Sequence, residues 1–315
     1  MIMQAEPLIE WQEPITEFIG FIAAFLAVGA VGFRYAALRG RVGHRHEDRD
    51  FYNDASARAA TMGLVGAVVS ALLFARNLPN IASRAHTTVS GALTGNAVVG
   101  LQFVLIIVGL IGLALAASRK NIGWPLAAVG VILAPLTGII DLKWTRMVNP
   151  VHKLVAGLWL GTLFVLVVAG IGRVLRDGST RDRRGAITAD MVNSFSPLAL
   201  TCGMLLVLSG VITGWRHLNP LSSLWTTPYG YALIVKLIIV AIVFALGAWN
   251  WRRQRPTLGT EDAALALRRS AKGELVAAVL VLTVTAILVS LPSPKPPGAA
   301  KPGGPPPAGA PSGGG

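Results

Sequence analysis

Residues 97–117 read AVVGLQFVLIIVGLIGLALAA, a run of 21 residues without one charged side chain. An α-helix rises 1.5 Å per residue, so such a run can cross about 30 Å of hydrocarbon. Further apolar runs of similar character occur along the whole chain. The sequence therefore predicts an all-α fold, a polytopic transmembrane helix bundle of about eight spans: 18–38, 58–74, 97–117, 122–140, 151–175, 195–215, 231–251 and 275–291.

The composition is typical of a membrane protein. Of the 315 residues, 53% are hydrophobic and 14% are charged, and the mean hydropathy is +0.60. Soluble domains usually carry about 25% charged residues. The formal net charge of +13 first suggests nucleic acid, but Lys and Arg lie in short loops between apolar runs rather than on one face of a folded domain. We therefore expect the lipid bilayer, and no nucleic acid, as a partner.

The basic residues also predict the orientation. The connections after the first, third, fifth and seventh runs hold 18 Lys and Arg, whereas the opposite side holds 7. Basic loops stay in the cytoplasm, so both termini are expected outside. The first 17 residues contain Glu but no Lys or Arg. A cleaved signal peptide needs a basic start, so the first apolar run is expected to remain as a span.

The chain divides into a transmembrane helical domain, residues 1–291, and a tail, residues 292–315. The tail contains 9 Pro and 7 Gly but no His, Met or Cys. It cannot bury enough apolar surface to order itself, so we expect it to be disordered and to bind no metal. Cys202 is the one cysteine, which excludes a disulfide or a CxxC metal site within the chain.

Three histidines fall on the predicted outer side. His86 follows the second run, His152 opens the fifth and His217 follows the sixth, while Met147 lies just before His152. Imidazole and thioether groups suit copper, and thioether favours the reduced ion. The alternative is that each histidine is only a polar residue at the level of the lipid headgroups. His44 and His46, in RVGHRHEDRD, are interpreted as part of a solvated charged loop.

Lys236 lies within the seventh run. An ionisable group inside a span usually faces the bundle interior, although its stem could equally snorkel to the outer headgroups. Trp159 follows His152 by seven residues, which in a regular α-helix places both on one face. Cys202 and Met204 are two residues apart and should point in different directions, so packing is the expectation for each.

No catalytic pattern appears. Acidic residues within the runs are nearly absent, since Asp141 and Glu274 lie at run ends, and the chain has neither a P-loop nor a nucleophile elbow. An ordinary carboxylate proton relay is also hard to build without an acidic residue deep in the bundle. The chain is therefore predicted not to be an enzyme.

Three segments resemble the copper resistance protein D (CopD) family of bacterial inner-membrane proteins. They are NPVHKLVAGLWLGTLFVL (149–166), FSPLALTCGMLLVLSGV (195–211) and LSSLWTTPYGYALIVKLIIVAIVFALGAWNWRRQRP (221–256). The similarity lies mainly within 149–256. It implies a multi-pass inner-membrane protein that binds copper and moves it across the membrane, often inward. It also implies roles for His152 and Trp159, and for a second signature of Thr227, Pro228, Tyr229, Gly230 and Lys236; the match at His217 is looser.

The resemblance makes copper the expected ion, with His152, His217, His86 and Met147 as its expected ligands. Some members of the family carry an appended copper-binding domain of the CopC type, which is not evident in this sequence. A separate periplasmic copper-binding protein is therefore an expected partner. Two alternatives stay open: a membrane scaffold or assembly factor without transport, and a b-type haem electron-transfer protein, which needs facing histidines inside the bilayer.

Overall fold

The computed structural model describes residues 11–39, 48–139, 144–217, 222–254 and 261–290. These ranges are helical and contain no β-strand, so the predicted all-α fold is confirmed for them. The α-helices are α1 (Gln12–Gly32), α2 (Arg49–Arg84), α3 (Val89–Gly95), α4 (Ala97–Ala117), α5 (Gly123–Leu133), α6 (Trp144–Ala156), α7 (Thr162–Val165), α8 (Gly172–Val174), α9 (Arg184–His217), α10 (Ser223–Thr226), α11 (Pro228–Gln254) and α12 (Glu261–Ser290).

The long apolar helices coincide with the predicted spans. Within the described ranges, five stretches are long and apolar enough to cross a membrane: Gln12–Ala37, Arg49–Arg84, Ala97–Ala117, Val148–Val174 and Arg184–Ile212. Three shorter apolar helices, Gly123–Ile139, Pro228–Ile242 and Leu275–Ser290, cover the remaining predicted runs. The chain is thus a multi-pass helical membrane protein, while the total of eight spans and the outer location of both termini stay predictions. The predicted loop histidines, His44 and His46, and the tail lie outside the described residues.

Two spans differ in detail from the sequence prediction. Helix α2 has 36 residues, roughly 54 Å of helix, so the predicted span at 58–74 is only its apolar middle. Helix α5 ends at Leu133 and continues as the 3-10 segment Ala134–Ile139. The change falls at Pro135, where a kink is predicted because proline has no backbone N–H to donate.

The stretch Val148–Val174 is not a regular α-helix. π-helical turns occupy Gly157–Gly161 and Leu166–Ile171. A π-turn takes in one extra residue and rotates the following residues relative to those before it. Trp159 lies inside the first of these turns, so the regular spacing that would align it with His152 does not hold.

Close approach of backbones sets how the fifth span packs against the first. A Cβ on Gly29 of α1 would overlap the backbone of Gly161, and a Cβ on Gly161 would overlap the carbonyl of Phe25. Without side chains at this crossing, the two helices pack in van der Waals contact, which is the usual means of association in lipid. The crossing holds the α6 region, and therefore His152, in a fixed place beside α1.

Ion pairs gather three of the basic connections at one end of the bundle, called the basic end. Asp54 of α2 pairs with Arg119, after α4, and with Arg173 of α8. Arg183, after α8, pairs with Asp48 at the start of α2 at 2.7 Å. These contacts agree with the sequence expectation that the loops share one side, and the positive-inside rule predicts that this side is cytoplasmic. The opposite end, which carries His86, is called the histidine end.

Candidate functional site

His152 lies in α6, in the histidine-end half of the fifth span, and its side chain is half-buried. Its Nδ1 atom lies 2.8 Å from the hydroxyl oxygen of Ser209 on α9. Gly210, the next residue of α9, also lies beside the imidazole, since a Cβ there would be 3.8 Å from the ring carbon Cε1, an ordinary van der Waals contact. The imidazole is therefore seated against α9 at a position with a small residue and a hydroxyl.

The hydrogen bonds of Ser209 favour one tautomer of His152. The Ser209 hydroxyl lies 2.7 Å from the carbonyl oxygen of Leu205 and 3.2 Å from that of Leu206. A carbonyl can only accept, so a hydroxyl that donates its single proton to one of them accepts from Nδ1–H of His152. In that tautomer Nε2 of the neutral imidazole keeps its lone pair, the form that binds metal ions, and Nδ1 is oriented by a neighbouring acceptor.

Lys236 lies in α11, eight residues after its start at Pro228, about 12 Å along the helix. Its side chain is half-buried, and its charge acts on His152 electrostatically. Within the described residues no carboxylate forms an ion pair with Lys236. The two residues that the sequence singled out separately thus interact through charge.

Trp159 contacts α11, whereas the hydrogen bond of His152 is to α9. Its ring lies 5.0 Å, between centroids, from the ring of Phe244 on α11, an aromatic contact of favourable distance. Phe244 also lies against Gly203 of α9, since a Cβ on Gly203 would meet its ring at 3.0 Å. The aromatic pair therefore packs the fifth span against α11. Trp159 follows His152 along this span, so the aromatic contact lies closer to the basic end than His152 does.

The signature Thr227–Gly230 builds the start of α11. The Thr227 hydroxyl accepts a hydrogen bond from the backbone N–H of Gly230 at 3.0 Å, as a helix N-cap does. Pro228 is the first helical residue, where its missing N–H costs nothing. A Cβ on Gly230 would overlap the carbonyl oxygens of α10, and Tyr229 is buried. These four residues fix where α11 begins and hence the depth of Lys236.

The other expected ligands are placed as follows. His86 lies in the turn after α2, exposed, with a backbone φ of 51°. Met147 lies within α6 rather than in a loop, and His217 is the last residue of α9; their side chains lie outside the described part of the structure. Among the side chains that are described, no three of His, Cys, Asp or Glu lie close enough together to hold a metal ion. The shared four-residue site therefore stays a prediction.

Cys202 and Met204 follow the expectation from their spacing. Cys202 is 3% exposed inside the bundle, whereas Met204 is 60% exposed on its outside. A ladder of soft ligands along α9 is thus not formed by this pair.

Ser209 and Phe244 are the contacts that sequence reasoning missed. Both lie inside segments that carry the family resemblance, and both contact residues that were singled out, His152 and Trp159. A serine in an apolar run is usually assigned to a hydrogen bond with its own helix. Its second contact depends on a residue 57 positions away, and no local signal indicates it.

Comparison with known proteins gives two matches. Residues 189–288 match the family profile CopD, described as copper resistance protein D. A relative from Bacillus subtilis (strain 168), "Copper transport protein CutJ", is 31% identical over 149 residues, which is 46% of this chain and 25% of the relative. The chain thus spans about a quarter of the length of this curated relative. No solved structure gives a significant match. Ser209, Lys236 and Phe244 lie inside the matched segment, and His152 precedes it.

Proposed function

We propose that this chain, whose residues 189–288 match the copper resistance protein D family profile, binds copper at its histidine end and moves the ion across the membrane, into the cytoplasm. The observation that carries this proposal is the seated imidazole: His152 presents Nε2 while Ser209 holds Nδ1. The relative is named for copper transport. Neither name describes a catalysed reaction, and the proposal is for a transporter rather than an enzyme.

Of the two histidines whose side chains are described, His86 is exposed in the turn after α2, and His152 is half-buried within the fifth span. A neutral imidazole suits Cu(I) and Cu(II) alike, and a soft thioether such as Met147 would favour Cu(I). His217 and His86 complete the proposed set at the same end of the bundle. One nitrogen ligand alone binds copper weakly, so the proposal requires at least one of these further residues in the ion's coordination shell.

Lys236 weakens copper binding at the proposed site, and transport requires that the ion is not held too tightly. An ion in a pathway must bind well enough to enter and loosely enough to leave. A lysine ammonium next to the imidazole raises the energy of a bound cation, because like charges repel and the half-buried surroundings screen them less than water does. Lys236 therefore limits how long copper stays at His152. Trp159 and Phe244 pack the fifth span against α11 and hold these two helices at a fixed spacing.

The test is the copper content of cells that express the protein, compared with cells that do not and with cells expressing His152→Ala. Inward transport predicts that the wild type raises cell copper and that the variant, at equal amounts of membrane-inserted protein, does not. A fall in cell copper would overturn the inward direction. Unchanged copper would overturn transport and favour the scaffold alternative, and a haem absorbance spectrum of the purified protein would favour electron transfer.

A further inference from the structure

The basic end contains a cavity that the copper proposal does not use. It has a volume of about 230 Å³ and lies between the start of α2, the end of α4 and the start of α5. Its polar lining consists of Arg49, Asn53, Ser56, Arg119 and Asn121, with Trp124 as the aromatic wall. Every one of these side chains can donate a hydrogen bond, and among the residues that the structure describes no Asp or Glu lines the cavity. Such a lining suits an anion.

Arg119, which lines the cavity, has a strained backbone conformation. Its φ is 62°, in the left-handed region that glycine normally occupies after a helix. The turn is closed by Lys120 N–H, which donates to the Leu115 carbonyl at 2.9 Å. A non-glycine residue in this conformation is strained, and such strain concentrates at functional sites. The turn points the Arg119 guanidinium toward α2 and the cavity.

Among the described residues, most of the basic side chains around the cavity have acidic partners, but Arg49 does not. Asp54 is shared by Arg119 and Arg173, and Arg173 also pairs with Asp177 at 3.2 Å. Asp48, at the start of α2, is paired with Arg183. Arg49 forms no ion pair with any residue in the described ranges, and Arg34 places its guanidinium 5.8 Å from the ring of Trp124, behind the cavity wall. The first turn of the long α2 holds Asp50 and carries the partial positive charge of a helix N-terminus.

Exposed apolar side chains occur on the helices that form the cavity and in the turn between them. Ile111 of α4 is 50% exposed and Ile122, next to Asn121, is 64% exposed. An amphiphile could therefore place its charged group in the cavity and its chains along these side chains. The volume equals that of roughly eight water molecules at about 30 Å³ each, enough for a phosphate group with part of its substituent.

We infer that this cavity binds a phosphate group, carried by an anionic phospholipid headgroup or by free inorganic phosphate. Arg49 and Arg119 make charge-assisted hydrogen bonds to the phosphate oxygens, as guanidinium groups do in phosphate sites. Asn53, Ser56 and Asn121 supply neutral donors. The site lies at the opposite end of the bundle from His152, so the inference does not rest on the proposed copper site.

The test measures binding to the purified full-length protein by native mass spectrometry. The probes are phosphatidylglycerol, phosphatidylcholine with the same chains, and inorganic phosphate as competitor. Arg49→Gln and Arg119→Gly should each weaken phosphatidylglycerol binding about tenfold, since each removes one charged hydrogen-bond donor. Arg119→Gly also relaxes the left-handed turn, so it should fold at least as well as Arg119→Gln. Arg176→Gln removes an exposed charge outside the cavity lining and serves as the matched control.

Each outcome either supports or overturns the inference. Loss in the two cavity variants but not in the control supports the site. If inorganic phosphate then competes with phosphatidylglycerol, the cavity recognises the phosphate group. If it does not compete, the cavity recognises the whole lipid headgroup. Binding of inorganic phosphate alone, sensitive to the same variants, assigns it to the free ion. Equal binding of both lipids, equal loss in Arg176→Gln, or no binding of any probe overturns the inference.

Discussion

Ser209→Ala is the sharpest perturbation of the proposed copper site, because it changes no direct ligand. The substitution removes the oxygen that accepts from Nδ1–H of His152 at 2.8 Å. Loss of the partner that orients a ligating histidine typically lowers metal affinity by about 10- to 100-fold, equivalent to about 1.4 to 2.7 kcal/mol. His152 is only half-buried, so water can reach Nδ1 in the variant. We therefore expect a loss near tenfold.

The assay is a competition titration of copper against a chelator of known affinity, with the purified protein in detergent. Ser196→Ala is the matched control: it lies on the same helix and its hydroxyl bonds to the Val192 carbonyl at 2.8 Å, but no contact with His152 is present. Ser209→Thr keeps a hydroxyl at the same atom position and should restore most of the affinity. His152→Ala should lose more than Ser209→Ala.

Two results would refute the reasoning. If Ser209→Ala and Ser196→Ala bind copper alike, Ser209 does not position the ligand. If Ser209→Thr is as weak as Ser209→Ala, the shape of the serine site rather than its hydroxyl is what matters, and the deduced proton position on His152 loses its basis.

Three further predictions follow from charge, packing and orientation. Lys236→Met should raise copper affinity at the site yet lower turnover in a cell-uptake assay, because the repelling charge is gone; unchanged affinity and uptake would leave Lys236 as a helix anchor. Gly29→Ala should destabilise the protein by about 1–3 kcal/mol in thermal unfolding, since the new Cβ meets backbone that cannot move aside. The control Gly247→Ala, with open space around it, should be neutral. Equal effects of the two substitutions would contradict the close crossing of α1 and the fifth span. Reporter fusions after residue 315 and within 181–184 should report outside and cytoplasm respectively, and a cytoplasmic C-terminus would mean that one predicted span does not cross.

The helix α11 shows how far a sequence signature can be interpreted without a structure. The sequence singled out the residues 227–230 through a family resemblance, as a signature with a pathway or motif role. The structure gives three of them local roles: Thr227 caps the helix, Pro228 begins it, and Gly230 permits the close approach of α10. Capping has a recognisable sequence pattern, so this part of the signature could have been interpreted from sequence alone.

The sequence by itself determined that this protein is helical and lies in the membrane, and it located the apolar runs and the asymmetry of the basic loops. Hydrocarbon requires each spanning segment to be apolar and helical, and the membrane's two faces require the basic loops to lie on one side. Each requirement applies to a single segment, so neighbouring residues suffice to show it.

Only the tertiary structure decided which faces meet. The contact of His152 with Ser209 joins residues 57 positions apart, and the cavity at Arg49 and Arg119 is formed by three separate helices. Apolar helices in lipid have no strong hydrophobic preference for one neighbour over another. Their partners are selected by small residues, π-turns and polar contacts at the crossings, such as Gly29 against Gly161. These are properties of pairs of helices, and they become visible only when the helices are placed together.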